Sequence, residues 1–299
     1  MKKIIPNLWF DKKAEESANF YTKIFLDSKI IRTDKYTSVG EEVHGGKEGQ
    51  VMTVEFELSG LRFVGINGGP HFKINPSISF TINCKSTIEV DSFWEELSIG
   101  GEVLMPLQEY PFSKYYGWLN DKYGVSWQII LIEGDKHEKV VPALMFNQSQ
   151  AGKAKEALAF YTDIFPDSKI GEVWHYGAGQ EPDKEGTIAH AEFTLCGQQF
   201  TAMDSAQSHK FRFNEGVSLL VECDTQEEID TYWRMLSAVP EAEQCGWLKD
   251  KYGVSWQIAP KILNEMLAKG THEQLEKVTA AYLAMKKFDI AILEKAYNL

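Results

Sequence analysis

Hydrophobic positions along the chain alternate between two periods. Residues 4–10 are a short apolar run around Pro6, and Ala14, Ala18, Tyr21 and Phe25 follow at helical spacing, predicting a strand and then an amphipathic helix. From Val51 to Leu58, Met52, Val54, Phe56 and Leu58 alternate with Thr53, Glu55 and Glu57, and Ser59-Gly60 turns the chain into a second strand over 61–66, so a hairpin is expected. Beyond Gly68-Gly69-Pro70 the pattern restarts with a strand over 77–84. A helix carrying Val90, Phe93, Trp94 and Leu97 follows, opened by the capping pair Ser86 and Glu89. Further strands close the unit, the last over 125–131.

The same plan then repeats. Gly117 to Ile129 reads GWLNDKYGVSWQI and Gly246 to Ile258 reads GWLKDKYGVSWQI, while FYTKIFLDSKI at Phe20 returns as FYTDIFPDSKI at Phe160. Two blocks in the same order at matched separation indicate duplication of a whole domain, not a short solenoid repeat. Ala154, Leu158, Tyr161 and Phe165 form the first helical stripe of the second copy, Cys196-Gly197 its hairpin turn, and Ile229, Tyr232, Trp233 and Leu236 its second stripe behind a Thr225/Glu228 cap. Two differences stand out. Gln148 to Lys153 lengthens the loop before the first helix, and the stretch between Trp233 and Trp247 is shorter than that between Trp94 and Trp118, so one edge strand is expected to be reduced. Beyond Pro260, Leu275, Val278, Tyr282 and Met285 keep helical spacing behind a Thr271/Gln274 cap, giving a helical tail expected to cover an apolar flank of the second repeat.

Composition narrows the partners. With 43% hydrophobic and 25% charged residues, the 299-residue chain has the makeup of a soluble globular protein large enough for two cores. Its net charge of −12 is broken by no basic run, which argues against nucleic acid or an anionic membrane and for a small-molecule ligand. The amino-terminal stretch is too short in apolar residues for a signal peptide or a membrane span, so a cytoplasmic location is expected. Cys84, Cys196, Cys223 and Cys245 fall in no metal-finger spacing and read as reduced structural thiols.

The opening P-x-L-x-F strand, the helix ending F-Y-x-x-I-F, Met203-Asp204-Ser205, the VECDTQEEIDTYW segment and the closing DKYGVSWQI resemble the PhnB-like branch of the vicinal oxygen chelate, or glyoxalase/bleomycin-resistance, superfamily. The resemblance spans both repeats. It implies an α+β fold in which paired βαβββ modules form curled mixed sheets, in two tandem copies: residues 1–133, residues 139–260 and a helical extension over 261–299. It further implies an internal pseudo-dimer, with homodimerisation of the chain as the alternative, and leaves open whether the cups close within or between repeats.

In metal-dependent relatives a divalent ion sits on the first and last strands of the modules. The resemblance places Asn7, Ala143, Gln128 and Gln257 at those positions, and neutral amides are weak ligands, so no tightly bound metal is expected, a divalent metal on other residues being the alternative. Branch members carry the label 3-demethylubiquinone 3-methyltransferase. No glycine-rich loop after a strand supports a nucleotide-like methyl donor, and the label is not carried over.

Strand alternation sets Asn7 and Trp9 opposite Leu8 and Phe10, and Ser126 and Gln128 opposite Val125, Trp127 and Ile129. The polar face, joined by Ser79 and Thr81, is then a cup lining suited to a polar, flat small molecule, with Ala143, Met145, Ser218, Ser255 and Gln257 lining a more apolar second cup. His190 shares a strand face with Glu192, matched by Thr53 and Glu55. The two glutamates are candidate general bases or a solvated face, and His209 is a candidate for a pocket mouth or a loop cap. Trp118 and Trp247 read as packing residues. Three functions follow: a metal-independent small-molecule binder; a metal-dependent lyase, isomerase or dioxygenase; or an interaction module with vestigial cups. Whether the protein is catalytic stays open.

Overall fold

The computed structural model describes residues 3–134 and 137–299, and Met1 and Lys2 of the amino-terminal stretch lie outside them. The first module is β1 (Ile4–Phe10), α1 (Ala14–Ile24), β2 (Lys29–Lys35), the one-turn helix α2 (Glu41–His44), β3 (Val51–Leu58) and β4 (Leu61–Asn67). The second is β5 (Ile78–Cys84), α3 (Thr87–Ser98), β6 (Glu102–Tyr110), β7 (Ser113–Asn120) and β8 (Ser126–Leu131). The third is β9 (Val140–Asn147), α4 (Ala154–Ile164), β10 (Lys169–His175), β11 (Ile188–Leu195) and β12 (Gln198–Ser205), and the fourth is β13 (Val217–Cys223), α5 (Gln226–Leu236), β14 (Trp247–Lys249) and β15 (Ser255–Pro260). Helices α6 (Lys261–Lys269), α7 (His272–Leu283) and α8 (Ile290–Asn298) form the tail.

The modules exchange partners between the repeats. One seven-stranded sheet runs β14-β15-β13-β1-β4-β3-β2 and one eight-stranded sheet runs β10-β11-β12-β9-β5-β8-β7-β6, so each holds one module from each repeat. The seams are antiparallel pairings of first strands: β1 with β13, where Asn7 faces Ser218, and β5 with β9, where Ser79 faces Ala143. The period of two along each strand then fixes every side chain's face. Leu8, Phe10, Phe63, Phe80, Trp127, Phe146 and Trp256 point to the helices and are buried in one core that runs through both sheets. The shortened stretch of the second repeat does lose a strand: the fourth module has the three-residue β14 where the second has the long β6–β7 hairpin.

The most repeated motif is a structural pin. Asp121, nearly fully buried, accepts from the Tyr21 hydroxyl at 2.6 Å, the Trp127 indole at 2.8 Å and the backbone N–H groups of Tyr123 and Val125 at 2.8 and 3.0 Å. Asp250 repeats this with Tyr161, Trp256, Tyr252 and Val254 at 2.7, 2.8, 2.9 and 3.0 Å. In each copy one carboxylate ties helix, turn and last strand together, and Gly124 and Gly253, with φ of 86° and 89°, close the turn in a conformation that favours glycine. The caps are equally local. Ser86 and Thr225 accept from the N–H three residues on, but Glu89 and Glu228 reach back to Lys85 and Asp224, one residue beyond the reciprocal capping box that Thr271 and Gln274 complete.

The tail departs from expectation, since it covers both repeats and not a flank of the second alone. Asn264 of α6 accepts from Arg32 of β2 and donates to Glu222 of β13, which lie on opposite halves of the seven-stranded sheet. Glu276 of α7 accepts from Ser38, while the N–H groups of Cys245 and Gly246 bond to the carbonyls of Met285 and Lys286. The tail thus spans the concave face from one edge to the other and occupies the open edge of β14 left by the missing strand.

Candidate functional site

Facing is as the alternation predicted, but the grouping is not. Asn7 and Trp9 share the concave face of the seven-stranded sheet with Ser218 and Gln257; Ser79, Thr81 and Gln128 share that of the eight-stranded sheet with Ala143, Met145 and His190. Each concave face therefore mixes residues of both repeats, and each cup expected within one repeat is split between the two sheets.

The two faces differ in content. On the seven-stranded sheet Gln257 donates to Ser218 at 2.9 Å, the Trp9 indole donates to the Gly69 carbonyl at 2.8 Å, and the rings of Trp9 and Trp247 meet edge to face at 5.9 Å between centroids. Trp9 and Trp247 belong to strands that are not neighbours, so their contact measures how tightly the sheet curls. Glu55, read above as a candidate base, is buried in an ion-pair cluster: Arg62 donates to it at 2.7 Å and to Glu222 at 2.8 and 3.1 Å, and Asn264 completes the cluster. A carboxylate clamped by a guanidinium beneath the tail joins the repeats and is not placed to take a proton from a ligand.

On the eight-stranded sheet the polar groups form a chain. The Tyr116 hydroxyl donates to Gln128 Oε1 and Gln128 Nε2 donates to Ser79 Oγ, both at 2.8 Å, while the Trp118 indole donates to Ser126 at 2.8 Å. Around them Tyr116, Trp118 and Met145 cluster with Met105, Met203 and Phe211, giving an aromatic and thioether surface with amide and hydroxyl groups at its centre. Trp118 and Trp247 accordingly face the concave sides; Trp127 and Trp256 do the core packing. Burial raises the Tyr116 hydroxyl far above its ordinary pKa, so it stays a neutral donor.

The histidines flank this surface. His190 on β11 lies beside Trp174, and burial, with a lesser contribution from His137, lowers it to about 4, so it is neutral at physiological pH. Glu192, two residues along the strand, lies 3.8 Å from His137. His209 lies after β12, where its Nε2 is 2.8 Å from Ser205 Oγ and its carbonyl accepts from Gln148; burial lowers its pKa too. The amide of Gln128 is engaged at both ends by protein groups and Ala143 has no donor, so the donor set at the metal positions of the eight-stranded sheet does not fit a hard divalent cation. Among the described residues no three His, Cys, Asp or Glu side chains converge on a common point. Sequence reasoning missed Tyr116, Met105 and Phe211, because their arrival on this face depends on the curl of β6 and β7 and on the exchange of modules.

Two shared curled sheets of βαβββ modules, each with a concave face opposite its helices, define the glyoxalase class of fold. Glyoxalase I from Zea mays, 10% identical over 89% of this chain and 95% of its own, superposes with a TM-score of 0.55, a likeness of fold alone. The chain belongs to the family described as 3-demethylubiquinone-9 3-methyltransferase, whose model matches residues 2–130 and again 138–259. A PhnB protein from Bacillus cereus is 43% identical over 44% of this chain and 100% of its own, with a TM-score of 0.40. A protein from Staphylococcus aureus is 32% identical over 44% of this chain and 98% of its own, with a TM-score of 0.19. No curated protein matches the chain. No helix among the described residues is long and apolar enough to cross a membrane.

Proposed function

We propose that the protein is a metal-independent small-molecule binder whose ligand lies against the concave face of the eight-stranded sheet. The observation that carries this reading is the Tyr116–Gln128–Ser79 chain, three neutral hydrogen-bonding groups inside an aromatic and methionine-lined surface. Such a surface suits a flat molecule with an apolar body and one or two polar substituents. The opposite concave face carries the tail, which leaves one face for a ligand.

The methyl transfer in the family's description is not part of the proposal. A nucleoside-bearing methyl donor is held by a glycine-rich turn between strand and helix. The turns that lead from the first strand of each module into its long helix are Asp11-Lys12-Lys13, Lys85-Ser86, Gln148 to Lys153 and Asp224-Thr225, and Gly152 is the one glycine among them.

The test is a thermal-shift series on chelator-treated protein with polar aromatic and dicarbonyl metabolites. A ligand at a hundred times its Kd stabilises the folded chain by about 2.7 kcal/mol. A metal-free shift that disappears in Gln128→Leu supports the proposal. Stoichiometric divalent metal in the native protein, or a flat panel, overturns it.

A further inference from the structure

We propose a second ligand site, for a small planar aromatic carboxylate, in the cleft at the carboxyl end of β1 where α1 begins. The cleft encloses about 510 Å³, which is ample for one or two fused rings. Trp9, Phe72 and Tyr123 line it, with the rings of Trp9 and Phe72 edge to face at 4.9 Å. These rings belong to three separate segments, so the aromatic walls are a product of the tertiary fold.

Charge sets the ligand class. In a chain of net charge −12, the charged residues lining this cleft are Lys13, Lys73 and Lys122 against Asp11 and Glu16. Glu16 is already committed: it pairs with Lys13 and accepts from the Tyr123 hydroxyl at 3.2 Å, and these contacts hold its carboxyl below its ordinary pKa. Lys122 lies over the Phe20 ring at 4.1 Å, and Lys73 has no carboxylate partner among the described residues. Lys73 and Lys122 form no close ion pair among the described residues, although Lys122 adds to the field that lowers Glu16, and at the rim of an aromatic cleft they favour an anionic ligand with a flat apolar body, the rings taking the body and the lysines the charge.

The duplication supplies an internal control. In the second repeat the turn before α4 is three residues longer than the turn before α1, running Gln148 to Lys153 against Asp11 to Lys13. Its 3-10 turn, Gln148–Gln150, ties down the partner loop through bonds from Gln148 to the carbonyls of His209 and Phe211, both at 3.0 Å. Tyr252, the counterpart of Tyr123, is accordingly buried where Tyr123 is half-exposed. The fold closes this corner in one copy and leaves it open in the other, so the cleft is a property of the first repeat and not of the module.

The test is calorimetric titration of the full chain with 1-naphthoate and with its uncharged analogue 1-naphthamide, at low and high salt. Saturable one-to-one binding of the naphthoate is expected, about tenfold tighter than the amide, weakened by salt, and reduced about tenfold in Lys73→Gln/Lys122→Gln. Both lysines are exposed, and an unchanged melting temperature shows that the variant is folded. In Gln128→Leu the naphthoate affinity is expected to be unchanged, which separates this site from the concave face of the eight-stranded sheet. Equal binding of acid and amide, undiminished binding by the lysine variant, loss of binding in Gln128→Leu, or no binding at millimolar naphthoate each overturns the proposal.

Discussion

Replacing Asp121 by Asn tests the reading of the duplicated motif as a pin. The carboxylate accepts four hydrogen bonds, two from side chains that bury fully in the core and two from the turn that leads into β8. Burial raises its pKa, and the donated bonds from Tyr21 and Trp127 pull the other way. In Asp121→Asn the remaining oxygen can serve the backbone pair, and the new NH₂ then faces Tyr21 and Trp127. The tyrosine hydroxyl can rotate to accept, but the indole N–H cannot, so one buried donor is left opposed to another. Losing a bond to a charged acceptor while stranding a buried donor costs about 2–3 kcal/mol. In a chain of this size that lowers the melting temperature by roughly 3–5 °C. Asp250→Asn should match it, because its partners are the same within a tenth of an ångström. Calorimetry and urea unfolding read the effect, and adding Trp127→Phe to Asp121→Asn should cost less than the sum of the two single changes by about 1–2 kcal/mol, since the opposed donor is gone. A melting temperature within about 1 °C of the parent, or full additivity in the cycle, would refute the pin.

Four further outcomes are expected. Arg62→Met leaves Glu55 and Glu222 facing each other beneath the tail, a loss of about 3–5 kcal/mol read by urea unfolding, and an unchanged midpoint would contradict it. Gln198 is fully buried with neither amide atom bonded among the described residues, and Leu61 stands at its position in the first repeat, so Gln198→Leu should stabilise by about 1–3 kcal/mol; a lower melting temperature would contradict this. His190 is held neutral in the fold at about 4 against an ordinary 6.5, so the unfolded chain takes up the proton first and stability is lost as pH falls from about 6.5 towards 4. The loss amounts to roughly 2 kcal/mol by pH 5, and His190→Gln should remove that part of the acid sensitivity, read as the difference between the two unfolding profiles. Deleting residues 261–299 exposes the concave face of the seven-stranded sheet and strips Arg32 and Glu222 of Asn264, so the truncated chain should bind a hydrophobic dye and melt well below the parent, whereas an unchanged melting temperature would show the tail to be dispensable.

Much of the fold was legible in the sequence because its causes are local. Periods of two and 3.6 placed strands and helices, capping residues marked the helix starts, Ser59-Gly60 and Cys196-Gly197 take the positive φ their tight turns require, and the shortened stretch before Trp247 foretold the lost strand. Alternation likewise decided which side chains face the helices and which face the cups, since a strand has two faces and the apolar one is buried. What the sequence could not supply was which strand lies beside which. The seams β1–β13 and β5–β9 join residues about two hundred and about sixty positions apart, and no local pattern encodes that choice. The same limit hid the Glu55–Arg62–Glu222 cluster, the Tyr116–Gln128–Ser79 chain and the path of the tail. Facing is set by covalent geometry and burial within one element; partnership is set by the packing of whole modules, and only the tertiary structure decides it.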